Sequence, residues 1–80
     1  MTADAATTSI ITLAAQHYGK AAADLAPTAD IFDGLGIDSF AALDLLSRLE
    51  EHFKIEIPDW ELQGVTTFAG LGDVVARRVR

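Results

Sequence analysis

The chain is predicted to be all-α, a small four-helix bundle of three main helices and one short one with a long first loop. Three observations predict it. Apolar residues recur at spacings of three and four in three separate segments. Strand-like alternation is confined to Ile55-Glu56-Ile57 and is broken at once by Pro58. Finally, 80 residues that are 50% hydrophobic can close one core and no more.

The first helix takes Thr8 or Ser9 as its N-cap, carries Ile10, Ile11, Leu13, Ala14 and Tyr18 along one side, and stops at Gly19. His17 falls inside it as a partly buried helix residue, and no chemistry is assigned to it. Residues 20–37 then pass through Pro27, Asp30, Gly34 and Gly36, with Leu25, Ile31, Phe32, Leu35 and Ile37 as apolar anchors. This is a long loop holding at most a short helical turn, and a loop well above about 12 residues in a small domain is usually functional or disordered. The anchors argue against disorder.

The strongest helix begins at Asp38-Ser39 and runs to about Phe53. With Phe40 at zero, Leu45, Leu49, Ala42, Phe53, Leu46 and Leu43 fall between roughly 140° and 300°, a single stripe expected to be buried. Phe40 stands on the polar side, so either the loop or a partner must cover it. Asp59 is expected to cap a brief turn through Trp60, Glu61 and Leu62. The last helix starts at Thr66 or Thr67 and buries Phe68, Leu71, Val74, Val75 and Val79. Gly70 and Gly72 cost it about 1 kcal/mol each relative to Ala, and either permit close helix packing or loosen the helix. One domain fills residues 1–80, with 1–7 and 77–80 expected as loose termini.

Composition excludes several functions. Twelve Asp and Glu against six Lys and Arg give a net charge of −6, which suits neither a nucleic-acid backbone nor an anionic membrane. There is no cysteine, so no disulfide, thiolate nucleophile or Cys-based metal site, and His17 and His52 show no ligand spacing. Residues 1–9 lack a basic start and an apolar run, and no stretch reaches the ~18 apolar residues of a span, so a cytoplasmic location is expected. A self-contained enzyme is disfavoured, because a domain with an expected radius of gyration of about 12 Å has little room for an engulfing pocket.

The informative segment is Gly34-Leu35-Gly36-Ile37-Asp38-Ser39-Phe40. Its glycines permit a sharp entry into the helix, which presents the Ser39 hydroxyl in the first turn, where free N–H groups and the helix dipole favour an attached anion. On spacing alone the plainer reading is favoured, that Asp38 or Ser39 simply caps the helix. A hydrolase nucleophile fares worse, with no Gly-x-Ser-x-Gly elbow, no preceding strand and no histidine with a reason to lie nearby.

Leu35-Gly36-Ile37-Asp38-Ser39-Phe40 resembles the Leu-Gly-x-Asp-Ser-Leu attachment motif of acyl carrier proteins. Leu49-Glu50-Glu51-His52-Phe53, Glu56-Ile57-Pro58-Asp59 and Val65-Thr66-Thr67 are similar to later landmarks of that family at the same spacings. The resemblance covers about Asp30 to Val75. It implies a four-helix, non-catalytic carrier, monomeric, with Ser39 esterified by 4′-phosphopantetheine from coenzyme A through a separate magnesium-dependent phosphopantetheinyl transferase. The arm's thiol would hold an acyl group as a thioester, which would account for the missing cysteine. The implied partners are that transferase, a loading ligase or transferase, and synthase or tailoring enzymes with basic docking patches.

The window from Asp24 to Glu61 holds −8 and the rest of the chain +2. Beside the attachment motif this acidic face suits electrostatically steered docking, with Asp38, Phe40, Asp44, Glu50 and Glu51 as the expected partner contacts. Three departures from the family pattern mark the chain. Phe40 replaces a common leucine, Ala41 stands where many members have an acid, and Arg48 interrupts the acidic face, where it can pair with Asp44 or Glu51. Trp60 adds a large side chain near the expected recognition edge. These features count against a housekeeping fatty-acid role and favour a specialised free-standing carrier of a fatty-acid, polyketide or other specialised acyl pathway. An aminoacyl or peptidyl carrier is the close alternative, although Asp38 leans towards the acyl type, and an unmodified helical interaction module is the remote one.

Overall fold

Thr2, not Thr8 or Ser9, opens the first helix. A computed structural model describes residues 1–79, and in it α1 spans Ala3–Tyr18, with the Thr2 hydroxyl accepting from the Ala5 N–H at 3.1 Å. The hydroxyls of Thr7 and Thr8 instead donate back to the carbonyls of Ala3 and Asp4, at 2.8 and 3.0 Å. Both threonines therefore sit within the helix. Ala6 and Thr7 are buried, which corrects the expectation of a loose start through residue 7. The helix ends where predicted, at Gly19 in the left-handed region with φ 67°.

The long loop contains a 3₁₀ turn at Ala22–Asp24 and a short helix, α2, at Ile31–Leu35. Asp30 caps α2, its carboxylate accepting from the N–H groups of Phe32 and Asp33 at 2.8 and 3.0 Å. Of the expected anchors, Leu25, Ile31 and Leu35 are buried, and Phe32 and Ile37 are half-buried. The Ile31 N–H donates to the Thr66 carbonyl at 2.7 Å and the Ala69 N–H to the Pro27 carbonyl at 2.8 Å, tying the loop to the start of the last helix. An isolated antiparallel bridge, Asp30 with Thr67, is part of this seam.

The third helix, α3, spans Ser39–Phe53 with Asp38 as its cap, as predicted. Its buried stripe is narrower than predicted. Leu45 and Leu49 are buried, Ala42, Leu46 and Phe53 are half-buried, and Leu43 is 59% exposed. The helix ends at Lys54, whose φ of 56° makes it a non-glycine residue in the left-handed region. The Glu50 side chain then accepts from the Ile57 N–H at 2.8 Å, which turns the chain back and buries Ile57. The short helix expected after Pro58 is a 3₁₀ turn, Asp59–Leu62, with Pro58 and not Asp59 at the cap position and no side-chain cap bond. Proline fits there because its fixed φ and missing N–H cost nothing at a helix entry.

The last helix, α4, spans Phe68–Arg78 and is capped by Thr67, whose hydroxyl accepts from the Gly70 N–H at 3.0 Å. Phe68, Leu71, Val74 and Val75 are buried and Val79 half-buried. Helices α1 and α4 form the closest helix pair. Gly72 explains how: a β-carbon there would run into the Thr7 hydroxyl and come within 3.0 Å of the Thr7 backbone nitrogen. Close packing, not looseness, is its role. Arg77 and Arg78, expected in a loose tail, belong to α4 and pair with Glu61, while Arg80 lies outside the described residues. The Cα radius of gyration is 11.2 Å, against the expected 12 Å or so.

Candidate functional site

Gly36 makes the turn that brings Ser39 to the surface. It occupies the left-handed region, with φ 67°, and its N–H and that of Ile37 both close on the Phe32 carbonyl, which ends α2. Two residues later Asp38, in extended backbone, starts α3. Its carboxylate accepts from the Ala41 N–H at 2.8 Å, and its carbonyl from the Ala42 N–H at 3.1 Å. Ser39 is thus the first residue of α3, and it is exposed. The N–H groups of Ser39 and Phe40 lie ahead of the helix's own hydrogen-bond ladder, at the positive end of its dipole. Such a terminus favours a negative charge held close to it.

Behind Ser39 opens an apolar groove of about 190 Å³. Ile31 and Phe32 of α2, Ala42, Leu43, Leu45, Leu46 and Leu49 of α3, Leu71 of α4, and Leu62 and Val65 of the connecting segment form its walls. The exposed Leu43 is explained here, because it lies at the groove's mouth. A larger, open hollow of about 780 Å³ is lined by Phe53, Lys54, Ile55, Glu56, Glu61 and residues 77–79. It lies at the other end of α3, roughly 20 Å along the helix from Ser39, and holds none of the predicted site residues.

The remaining predicted residues are placed as follows. Phe40 is 82% exposed, so the loop does not cover it. Asp44 is not a bare carboxylate. It accepts from Arg48 Nε at 3.2 Å and lies 3.0 Å from His17 Nε2, and these bonds, Arg48's first, hold its pKa below the ordinary value of 3.8. Glu50 is half-buried and committed to Ile57, while Glu51 is exposed near the end of α3.

His17 is a neighbour of Asp44 that sequence reasoning missed. Nothing in its local pattern points across to Asp44, 27 residues away. Beside it the Tyr18 hydroxyl donates to the Ala41 carbonyl at 3.1 Å, and burial, then the nearby Asp44, raises the phenol's pKa. Two adjacent side chains of α1 therefore brace the first turns of α3. His52 lines a separate hollow with Thr8, Ser9 and Thr12, so neither histidine is placed as a base for Ser39. Trp60 is 64% exposed, and Arg78 lies over its ring at 5.6 Å from the centroid. That position belongs to the C-terminal end of α4 and not to the surroundings of Ser39. No group of side chains among the described residues is arranged to hold a metal ion, and no described helix is long and apolar enough to cross a membrane.

Comparison with known proteins agrees with this geometry. Residues 8–75 match the family profile described as a phosphopantetheine attachment site. The chain is 32% identical over 68 residues to an acyl carrier protein from Syntrophobacter fumaroxidans, covering 85% of this chain and 84% of that one. Among solved structures, the acyl carrier protein from Enterococcus faecalis superposes with a TM-score of 0.74 at 22% identity, covering 96% of this chain and 98% of that one, which establishes the shared fold. The attachment-site profile covers most of the chain, the curated relative and the solved fold agree with it, and the chain belongs to the acyl carrier protein family.

Proposed function

We propose that Ser39 bears the 4′-phosphopantetheine arm and that the protein is a discrete carrier for a specialised acyl or polyketide pathway. One observation carries this reading: the only serine of the Asp38-Ser39 motif is exposed in the first turn of α3, at the mouth of an apolar groove. When attached, the arm supplies the thiol on which an acyl group rides as a thioester.

The chain's own residues do the rest. The N–H groups of Ser39 and Phe40 favour the phosphodiester, and Asp38 keeps the first turn of α3 in register by holding Ala41. The groove takes apolar cargo out of water, each buried methylene contributing about 0.8 kcal/mol. Its apolar lining supports an acyl chain over an aminoacyl cargo, whose ammonium group would find no partner there. An unactivated hydroxyl needs a base, and with His17 on Asp44 and His52 in a separate hollow that base belongs to a second protein, a phosphopantetheinyl transferase acting with coenzyme A. A loading enzyme and a synthase or tailoring enzyme are the further partners, met by a monomeric carrier in the cytoplasm.

Intact mass after incubation with coenzyme A and a broad-specificity phosphopantetheinyl transferase tests the reading. The native protein gains one phosphopantetheine, and Ser39→Ala gains none. A native protein that gains nothing is an unmodified helical module, and gain by Ser39→Ala places the arm elsewhere.

A further inference from the structure

The first turns of α3 carry Ser39 and have little apolar packing to hold them. Ahead of Leu45 no residue of α3 is buried: Ser39, Phe40, Leu43 and Asp44 are exposed, and Ala41 and Ala42 half-buried. Among the described residues, α1 and α4 pack closely by backbone, whereas no other element packs against α3 in that way. Two side chains from the last turn of α1 bridge the gap. The Tyr18 hydroxyl donates to the Ala41 carbonyl at 3.1 Å, and the His17 ring reaches the Asp44 carboxylate at 3.0 Å. An ionised carboxylate only accepts, so His17 Nε2 carries the proton of that bond. The two rings also meet edge to face with centroids 4.6 Å apart, so each steadies the other. Ala41 is thereby held on both sides, its N–H by Asp38 and its carbonyl by Tyr18, two residues from Ser39.

We propose that Tyr18 and His17 are positioning residues for modification at Ser39, holding the first turns of α3 in the one arrangement that the modifying transferase accepts. This rests on Ser39 as the attachment point. In that modification the Ser39 oxygen bonds to the phosphorus of coenzyme A that bears the pantetheine. The hydroxyl proton passes to the transferase's base, and the adenosine-bearing phosphate leaves with the electron pair of the broken P–O bond. The oxygen must be presented in one orientation for that displacement. Tyr18 and His17 act on it only through Ala41 and Asp44, by keeping one arrangement of α3 dominant. A carrier that spends only a fraction of its time in the competent arrangement binds its enzyme more weakly by that fraction, so a loosened α3 raises KM and leaves kcat nearly unchanged. Arg48 cannot take over this task, because it lies on α3 and its bond to Asp44 moves with the helix.

The test measures loading kinetics with the same transferase and coenzyme A and, separately, amide hydrogen exchange of the unmodified chain by NMR. Native protein, Tyr18→Phe, His17→Ala, His17→Gln and Val75→Ala are compared, each shown to be folded by its far-UV spectrum. Tyr18→Phe, which removes a single oxygen, is expected to raise KM by about threefold or more with kcat within about twofold of native. His17→Ala acts in the same direction, and His17→Gln, which keeps an N–H donor, recovers most of the loss. In Tyr18→Phe the amides of Leu43, Leu45 and Leu46 are expected to quicken by about tenfold more than those of Val74 and Val75 in α4. Val75→Ala is the control for stability alone: buried in α4 and outside the groove's walls, it lowers the melting midpoint and leaves KM at the native value. A native KM in Tyr18→Phe, or exchange that quickens equally in α3 and α4, overturns the proposal. So does a KM raised as far in Val75→Ala as in Tyr18→Phe, because loss of stability then accounts for both. Native protein that gains no mass sinks the attachment reading and this one together, whereas normal native loading with an unchanged KM in Tyr18→Phe sinks this one alone.

Discussion

Asp44 shows how much a single residue's role depends on its neighbours. From sequence it is one acid among many on a negative face, but Arg48 and His17 convert it into the centre of a small hydrogen-bonded cluster between α3 and α1. Because its folded pKa lies below 3.8, the stability it contributes is present above that value and is lost as pH falls through the lower, folded value. Denaturant titrations of native protein and Asp44→Asn should therefore differ at neutral pH, native being the more stable. The gap should close as the pH drops below 3.8, and a gap that widens on acidification would mean that the carboxylate is not favoured by its partners. The Arg48 pairing was legible, since four residues place two side chains on one helical face. The His17 pairing was not, because it depends on how α1 crosses α3.

At the level of the helix, glycine and capping residues decide the packing. Gly72 has no room for a side chain against Thr7, so Gly72→Ala should destabilise the protein by a net of about 1–2 kcal/mol, overpacking outweighing the gain in helix propensity. At Gly70 a β-carbon meets the Thr67 hydroxyl at 3.2 Å, a milder contact, and Gly70→Ala should cost less. Urea denaturation of the two variants separates these outcomes, and equal effects would show that propensity alone is at work. The start of α3 was readable because Asp38-Ser39 follows two glycines and precedes a strong apolar period. The start of α1 was not, because Thr7, Thr8 and Ser9 look like caps, while the residue that serves, Thr2, is followed only by small and polar residues. The breadth of α3's buried stripe was also overestimated. Periodicity marks apolar faces, and an apolar face that borders a groove is not filled by the chain itself.

Across the whole molecule, the negative charge is concentrated in one stretch of the chain. Ten of the acids lie between Asp24 and Glu61, and the resulting self-repulsion should be relieved by screening. The melting midpoint is accordingly expected to rise with added sodium chloride. A falling midpoint would mean that the ion pairs at Asp44 and Glu61 outweigh the repulsion. The bundle, its long anchored loop and the exposed serine were all legible from spacing and motif. The groove was not, since its walls come from four separate stretches of sequence. One of those walls is tethered from an unexpected direction. Glu61, only 12% exposed, is gripped by Arg77 at 3.6 Å and Arg78 at 3.4 Å, and Arg78 also covers Trp60. Leu62, the next residue, faces the groove. The last turn of α4 thus anchors the short turn that ends in Leu62, so one wall of the groove is tied by charge to the C-terminal end of the bundle's last helix.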